Sequence, residues 1–146
     1  MRNLETYPMK WLYVVSKHSH KEEIMKPSLI DTDILSLFFR NNINVINNFR
    51  RYLSQDNCLN ISIITYYEIL SGLKHRDSQR RLHDFWEFIS YNTLLPLTKD
   101  SIDISAHIYA KLRQKGTPVD DIDLLIAGVA IANDVILVTH NVKHFG

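Results

Sequence analysis

The stretch SLIDTDILSLFFR, residues 28–40, puts two carboxylates, Asp31 and Asp33, directly after an apolar run and directly before an apolar segment of helical character. Charge at the mouth of a core element is costly unless something cationic meets it. Other acids fall in comparable places. Glu68 lies four residues beyond the apolar run that ends at Ile64, and Asp123 lies in the first turn of the segment DIDLLIAGVAIAND. THN, residues 139–141, directly follows the apolar run VILV and adds the polar Asn141. Two like charges about 4 Å apart repel by about 4 kcal/mol at an effective dielectric of 20, against roughly 5–15 kcal/mol for the stability of a whole domain. No lysine or arginine stands at a matching position, so a divalent cation is the expected visitor. An all-oxygen donor set with room for water suits Mg²⁺ or Mn²⁺ rather than Zn²⁺. Such an ion activates water and offsets charge building on a phosphate in transfer.

These acids share a site only if the chain brings their flanking elements to one edge. Four short, branched-rich runs read as buried parallel strands: SLI (28–30), LNISII (59–64), TLLPL (93–97) and VILV (135–138). Helical segments lie between them. The first runs from Asp33 to Arg40, the second puts Val45, Ile46, Phe49, Tyr52 and Leu53 on one face, and the third starts at Thr65. The fourth buries Leu82, Phe85, Trp86 and Ile89, and the fifth, DISAHIYAKLRQKG, ends on basic residues and Gly116. In the last, the small residues Ala127, Gly128 and Ala130 let a helix lie close on a sheet. Strand–helix alternation predicts an α/β fold with a mostly parallel sheet of four to five strands. Sites in such sheets form beyond the carboxyl ends of the strands, where the strand order switches.

Each residue also has a plainer role. Asp33 reads as the N-cap of the first helix. Thr65-Tyr-Tyr-Glu68 has the pattern of a capping box, with Glu68 bonded back to the Thr65 backbone. Asp120, Asp121 and Asp123 all complement a helix dipole, and Asn141 can close a turn. His140 and His144 read as surface residues, and Phe85, Trp86 and Phe88 as core or protein interface. The clusters KHRDSQRR (74–81) and KLRQK (111–115) read as solvated helix faces. If they flank the acidic pocket, Lys74, Arg76, Arg80, Arg81, Lys111, Arg113 and Lys115 would suit a phosphate backbone. Joint placement at strand ends raises the metal-site reading above the caps.

Length and composition set the frame. The 146 residues suit one domain, and a net charge of +1 gives no global attraction to nucleic acid or membrane. The single cysteine, Cys58, has no internal partner, which fits a reducing, cytoplasmic setting. No run approaches the roughly 18 apolar residues of a membrane span, and the apolar core of MKWLYVVSKHSHKEE is too short for a signal peptide. Residues 1–26 read as an N-terminal extension to a domain at 27–146. Either Met25 is the true start, or the extension packs Trp11, Leu12 and Val14 against the domain.

SLIDTDILS, ISIITYYEILSGL, GTPVDDIDLLIAGVAIAND and VILVTHNVKHF occur in the order and spacing of the PIN-domain family, and residues 28–146 resemble its VapC-type toxin ribonucleases. The resemblance implies a three-layer α/β/α sandwich and a Mg²⁺- or Mn²⁺-dependent endoribonuclease. Its catalytic and metal-binding acids would be Asp31, Glu68 and Asp123, with Asn141 as the fourth catalytic position. Thr32, Asp33, Asp121 and Thr139 would support them. It further implies an RNA substrate (tRNA, rRNA or mRNA), a small antitoxin partner, a toxin homodimer and no membrane. Family members usually continue some ten residues past the final HF with a short closing strand, whereas this sequence stops at Gly146. Two rivals remain: a PIN fold that binds without cleaving, and a haloacid-dehalogenase-type phosphatase suggested by DTDIL. The phosphatase motif asks for an acidic motif following a strand, where DDID opens a helix instead.

Overall fold

The computed structural model describes residues 27–55 and 58–140; the extension, Asn141 and His144 lie outside them. In chain order the elements are β1 (Ser28–Ile30), α1 (Thr32–Phe39), α2 (Ile43–Leu53), β2 (Asn60–Ser62), α3 (Ile63–His75), α4 (Gln79–Ser90), β3 (Thr93–Leu95), α5 (Lys99–Gln114), α6 (Asp121–Ala132) and β4 (Ile136–Val138). The sheet is parallel throughout, in the order β3-β2-β1-β4. β1 and β4 are aligned Ser28↔Ile136, Leu29↔Leu137 and Ile30↔Val138. The chain therefore reverses direction across the sheet between β1 and β4, the switch at which doubly wound sheets place their sites.

Strand alternation sorts the core into two halves. Ile30, Ile61, Leu94 and Val138 face a core built by α1–α4, in which Ile34, Leu35, Val45, Phe49, Tyr52 and Phe85 are buried. Leu29, Leu95 and Leu137 face the opposite way, against Ile126, Val129 and Ala130 of α6. Helices on both faces make the three layers. α5 packs outside on α6, and the contact is close because of Gly128: a Cβ there would fall 2.0 Å from Ser105 Oγ and 2.5 Å from the Ser101 carbonyl oxygen. Gly128 thus fits α6 to α5, not to the sheet.

Several boundaries differ from the sequence reading. LNISII divides after Ser62, whose Oγ accepts from the Thr65 N–H at 3.0 Å and caps α3. The capping box expected at Thr65–Glu68 is therefore absent, and Glu68 lies in the second turn. Asp31, not Asp33, caps α1. α5 begins at Lys99, earlier than expected, behind a capping box between Thr98 and Ser101. Trp86 is 46% exposed and only Phe85 of that pair is buried, because neighbouring helical residues point about 100° apart. The expected end of α5 holds: Gly116, at φ 72°, follows the C-cap, with Gly116 N–H bonded to the Arg113 carbonyl and Thr117 N–H to that of Leu112. No described helix is long and apolar enough to cross a membrane.

Candidate active site

Asp31 leaves β1 in extended geometry (φ −70°, ψ 158°) and caps α1. One oxygen, Oδ1, accepts from the Thr32 N–H at 2.8 Å. The other, Oδ2, accepts from Thr139 Oγ1 at 2.5 Å. Thr139 directly follows β4, so the pairing of β1 with β4 presents its hydroxyl to Asp31 across 108 residues of sequence. Asp31 is 5% exposed and Thr139 fully buried. Burial pushes the Asp31 carboxyl up to about 6; the hydrogen bonds from Thr139 and Thr32 pull the other way, and the charges of Asp33 and Asp123 push it up further.

Thr32 joins Asp31 to the next acid. Its hydroxyl donates to Glu68 Oε1 at 2.6 Å and lies 3.0 Å from Thr65 Oγ1. The starts of α1 and α3 are thereby tied together above the β1–β2 pair. Asp123, half-buried in the first turn of α6, lies near enough for its charge to act on Asp31. Among the described residues no three Asp, Glu, His or Cys side chains converge tightly enough to enclose an ion. The donor set still suits a hard divalent ion. Its oxygens are carboxylate, Asp31 has no cationic partner among the described residues, and two fixed donors leave each Asp31 oxygen a further lone pair.

The remaining predicted residues are distributed around this centre. Asp33 and Asp121 are exposed, each in the first turn of its helix. Thr32 and Glu68 open into a cleft of about 270 Å³ that is also lined by Arg40, Arg76 and Arg81, over Phe39 and Phe85. Arg80 borders a neighbouring hollow formed with Phe38 and Phe49, and Lys74 is exposed at the end of α3. Lys111, Arg113 and Lys115 form the exposed C-terminal end of α5, where the Arg113 guanidinium lies 4.9 Å from the centre of the Tyr109 ring. Sequence reasoning missed Arg40, Ser62 and Thr65. Arg40 carried a usable signal, since it ends the helix that Asp31 begins. Ser62 sits within an apolar run that gives no hint of a cap, and nothing near Thr65 hints at its partner 33 residues away.

The PIN-domain family model matches residues 28–145. The chain is 32% identical over 142 residues to a ribonuclease VapC1 of Methanocaldococcus jannaschii, covering 94% of this chain and 90% of that one. Among solved structures it superposes on VapBC2 of Rickettsia felis, bound to a DNA fragment from its promoter, with a TM-score of 0.72 and 26% identity over 81% of this chain and 90% of that one. DNA-bound VapBC of Salmonella typhimurium gives 0.70 and 30%, covering 83% and 91%. The chain belongs to the PIN-domain family, within its VapC ribonuclease branch.

Proposed function

We propose that this protein is a Mg²⁺- or Mn²⁺-dependent endoribonuclease, the toxin of a toxin–antitoxin pair. One observation carries the reading: a buried carboxylate, Asp31, fixed by a donor on each oxygen at the switch point of a PIN-type sheet. Asp31, Glu68 and Asp123 would hold the ion, which lowers the pKa of bound water and neutralises charge on the phosphate. The protein's own part is positional. Thr139 and the Thr32 N–H keep Asp31 aimed at the strand ends, and Thr32 holds Glu68. Asn141 is assigned to orienting the water, with Asp33 and Asp121 adding negative potential at the rim. Water adds to the phosphorus as the P–O3′ bond breaks, leaving a 5′-phosphate and a 3′-hydroxyl.

Arg76 and Arg81, with Arg40, are assigned to the RNA backbone, because their cleft also contains Thr32 and Glu68. Eight residues of α3, about 12 Å of rise, separate Glu68 from Arg76. Lys111, Arg113 and Lys115 stand near the start of α6, since Ser105 of α5 meets Leu124 of α6 at 2.8 Å and the two helices run oppositely. The VapBC structures it resembles support a protein antitoxin as partner. Exposed Ile43, Leu53 and Trp86 give that partner apolar surface, and a toxin homodimer is part of the same reading. The test is cleavage of pooled tRNA and rRNA with Mg²⁺, Mn²⁺ or EDTA, comparing the chain with Asp31→Asn. Metal-dependent cuts lost in the variant support the proposal. Folded, metal-binding protein that leaves the RNA intact points instead to a module that binds without cleaving.

A further inference from the structure

We infer that Thr65 is a positioning residue for Glu68, acting through Thr32; this rests on the reading of Glu68 as a metal-holding acid. Thr65 is fully buried at the third position of α3. Its backbone N–H is already satisfied by Ser62 Oγ at 3.0 Å, so the side chain is not needed to cap the helix. The hydroxyl instead reaches across the β1–β2 pair to Thr32 Oγ1 at 3.0 Å. Thr32 has one hydroxyl proton, and its oxygen lies 2.6 Å from Glu68 Oε1. An ionised carboxylate only accepts, so Thr32 donates to Glu68. Thr65 must then donate to Thr32.

The result is a directed chain, Thr65 to Thr32 to Glu68, in which each hydroxyl has one orientation and each bond polarises the next. Glu68 is long and only half-buried, with rotamers to spare. The chain selects the one that faces the start of α1 and the C-terminal end of β1, where Asp31 lies. Without Thr65, Thr32 keeps its bond to Glu68 but loses the donor that fixes its rotation. Groups that orient metal ligands in this way typically change metal affinity by about 10–100-fold when removed.

The full-length protein would be titrated with Mn²⁺ by calorimetry, and kcat and KM for RNA cleavage measured alongside. Thr65→Val keeps the shape and deletes the hydroxyl; Thr65→Ser keeps the hydroxyl. The expected result is about tenfold weaker Mn²⁺ binding and a fall in kcat for Thr65→Val, with Thr65→Ser within about twofold of wild type. In a Thr32→Val background, Thr65→Val should add no further loss, because the path through Thr32 is already cut. Wild-type Mn²⁺ affinity in Thr65→Val, Thr65→Ser as impaired as Thr65→Val, or losses that multiply in the double variant would each overturn the inference. Should Thr65→Val fail to fold, Thr32→Val carries the test, and undiminished Mn²⁺ binding there overturns it equally. A wild-type chain that binds no Mn²⁺ removes the metal reading and the relay together, whereas normal wild-type binding with an unaffected Thr65→Val removes only the relay.

Discussion

The two ends of β1 lie three residues apart and solve the same problem in opposite ways. At the N-terminal end, Tyr52 is buried and its hydroxyl accepts from the Ser28 N–H at 2.9 Å while donating to the Cys58 carbonyl at 3.3 Å. Burial raises its pKa further, so the phenol stays neutral and both its hydrogen-bonding capacities are used. At the C-terminal end, Asp31 is equally buried and also bonded twice, yet its charge has no counter-ion among the described residues. The first end contributes to stability. The second stores unfavourable electrostatics that a cation would relieve, which is how functional sites come to trade stability for chemistry.

Substituting Asn for Asp31 tests this contrast most severely. Losing a ligand should exceed the 10–100-fold effect of disturbing a group behind it, so cleavage should fall by more than about 100-fold. The same variant should be more stable than wild type without metal, since the amide can still accept from the Thr32 N–H. The sign follows from the folded-state pKa of about 6 against 3.8 for an ordinary aspartate. The folded protein binds more protons between those values, so the contribution of Asp31 is most favourable below about pH 4 and is lost as pH rises through about 6. Denaturant melts in EDTA should show wild type and Asp31→Asn converging near pH 4. The variant should lead at pH 7 by up to about 3 kcal/mol, two units at about 1.4 each. Saturating Mn²⁺ should stabilise wild type only. A difference that does not change with pH would mean that Asp31 carries no desolvation penalty.

The N-terminal end should respond in stability alone. Tyr52→Phe strands the buried Ser28 N–H and the Cys58 carbonyl, which should lower stability by about 1–3 kcal/mol. Cleavage per folded molecule should match wild type at a temperature where both are folded. A change in kcat would mean that the two ends of β1 are coupled.

Much of this contrast was legible in the sequence, and the reasons for the rest are physical. Strand SLI and the placement of Asp31 after it could be read because the apolar run stops sharply at a charged residue that opens a helix. The boundary at Ser62 was not legible, because Ile61, Ile63 and Ile64 are apolar on both sides of it and a three-residue strand has no room to show a period. Thr65-Tyr-Tyr-Glu68 matched a cap motif, but Ser62 reached the Thr65 N–H first and released Glu68 for Thr32. Gly128 signalled a close approach without saying to what, since a missing Cβ fits a sheet and a helix alike. Thr139 could be noticed as a hydroxyl at a strand end. Its bond to Asp31 required the strand order, which no local pattern encodes.

The smallest effect is the most informative about Asp31 itself. Thr139→Val removes the larger of the two hydrogen bonds that pull its pKa down and leaves the burial that pushes it up. The carboxyl should therefore titrate above its present value of about 6, and metal binding, which competes with the proton, should need a higher pH. Calorimetric Mn²⁺ titrations from pH 5 to 8 should show the half-binding pH moving upward by a fraction of a unit to about one unit, since a hydrogen bond contributes about 1.5–3 kcal/mol to a charged group and about 0.5–1.5 kcal/mol to a neutral one, and 1.36 kcal/mol of difference is one unit. The loss of affinity should be smaller at pH 8 than at pH 6, because at pH 8 Asp31 is ionised in both proteins and only the aiming by Thr139 is lost. A downward shift, or an equal loss at every pH, would mean that Thr139 acts by shaping the strand end rather than by holding the proton off Asp31.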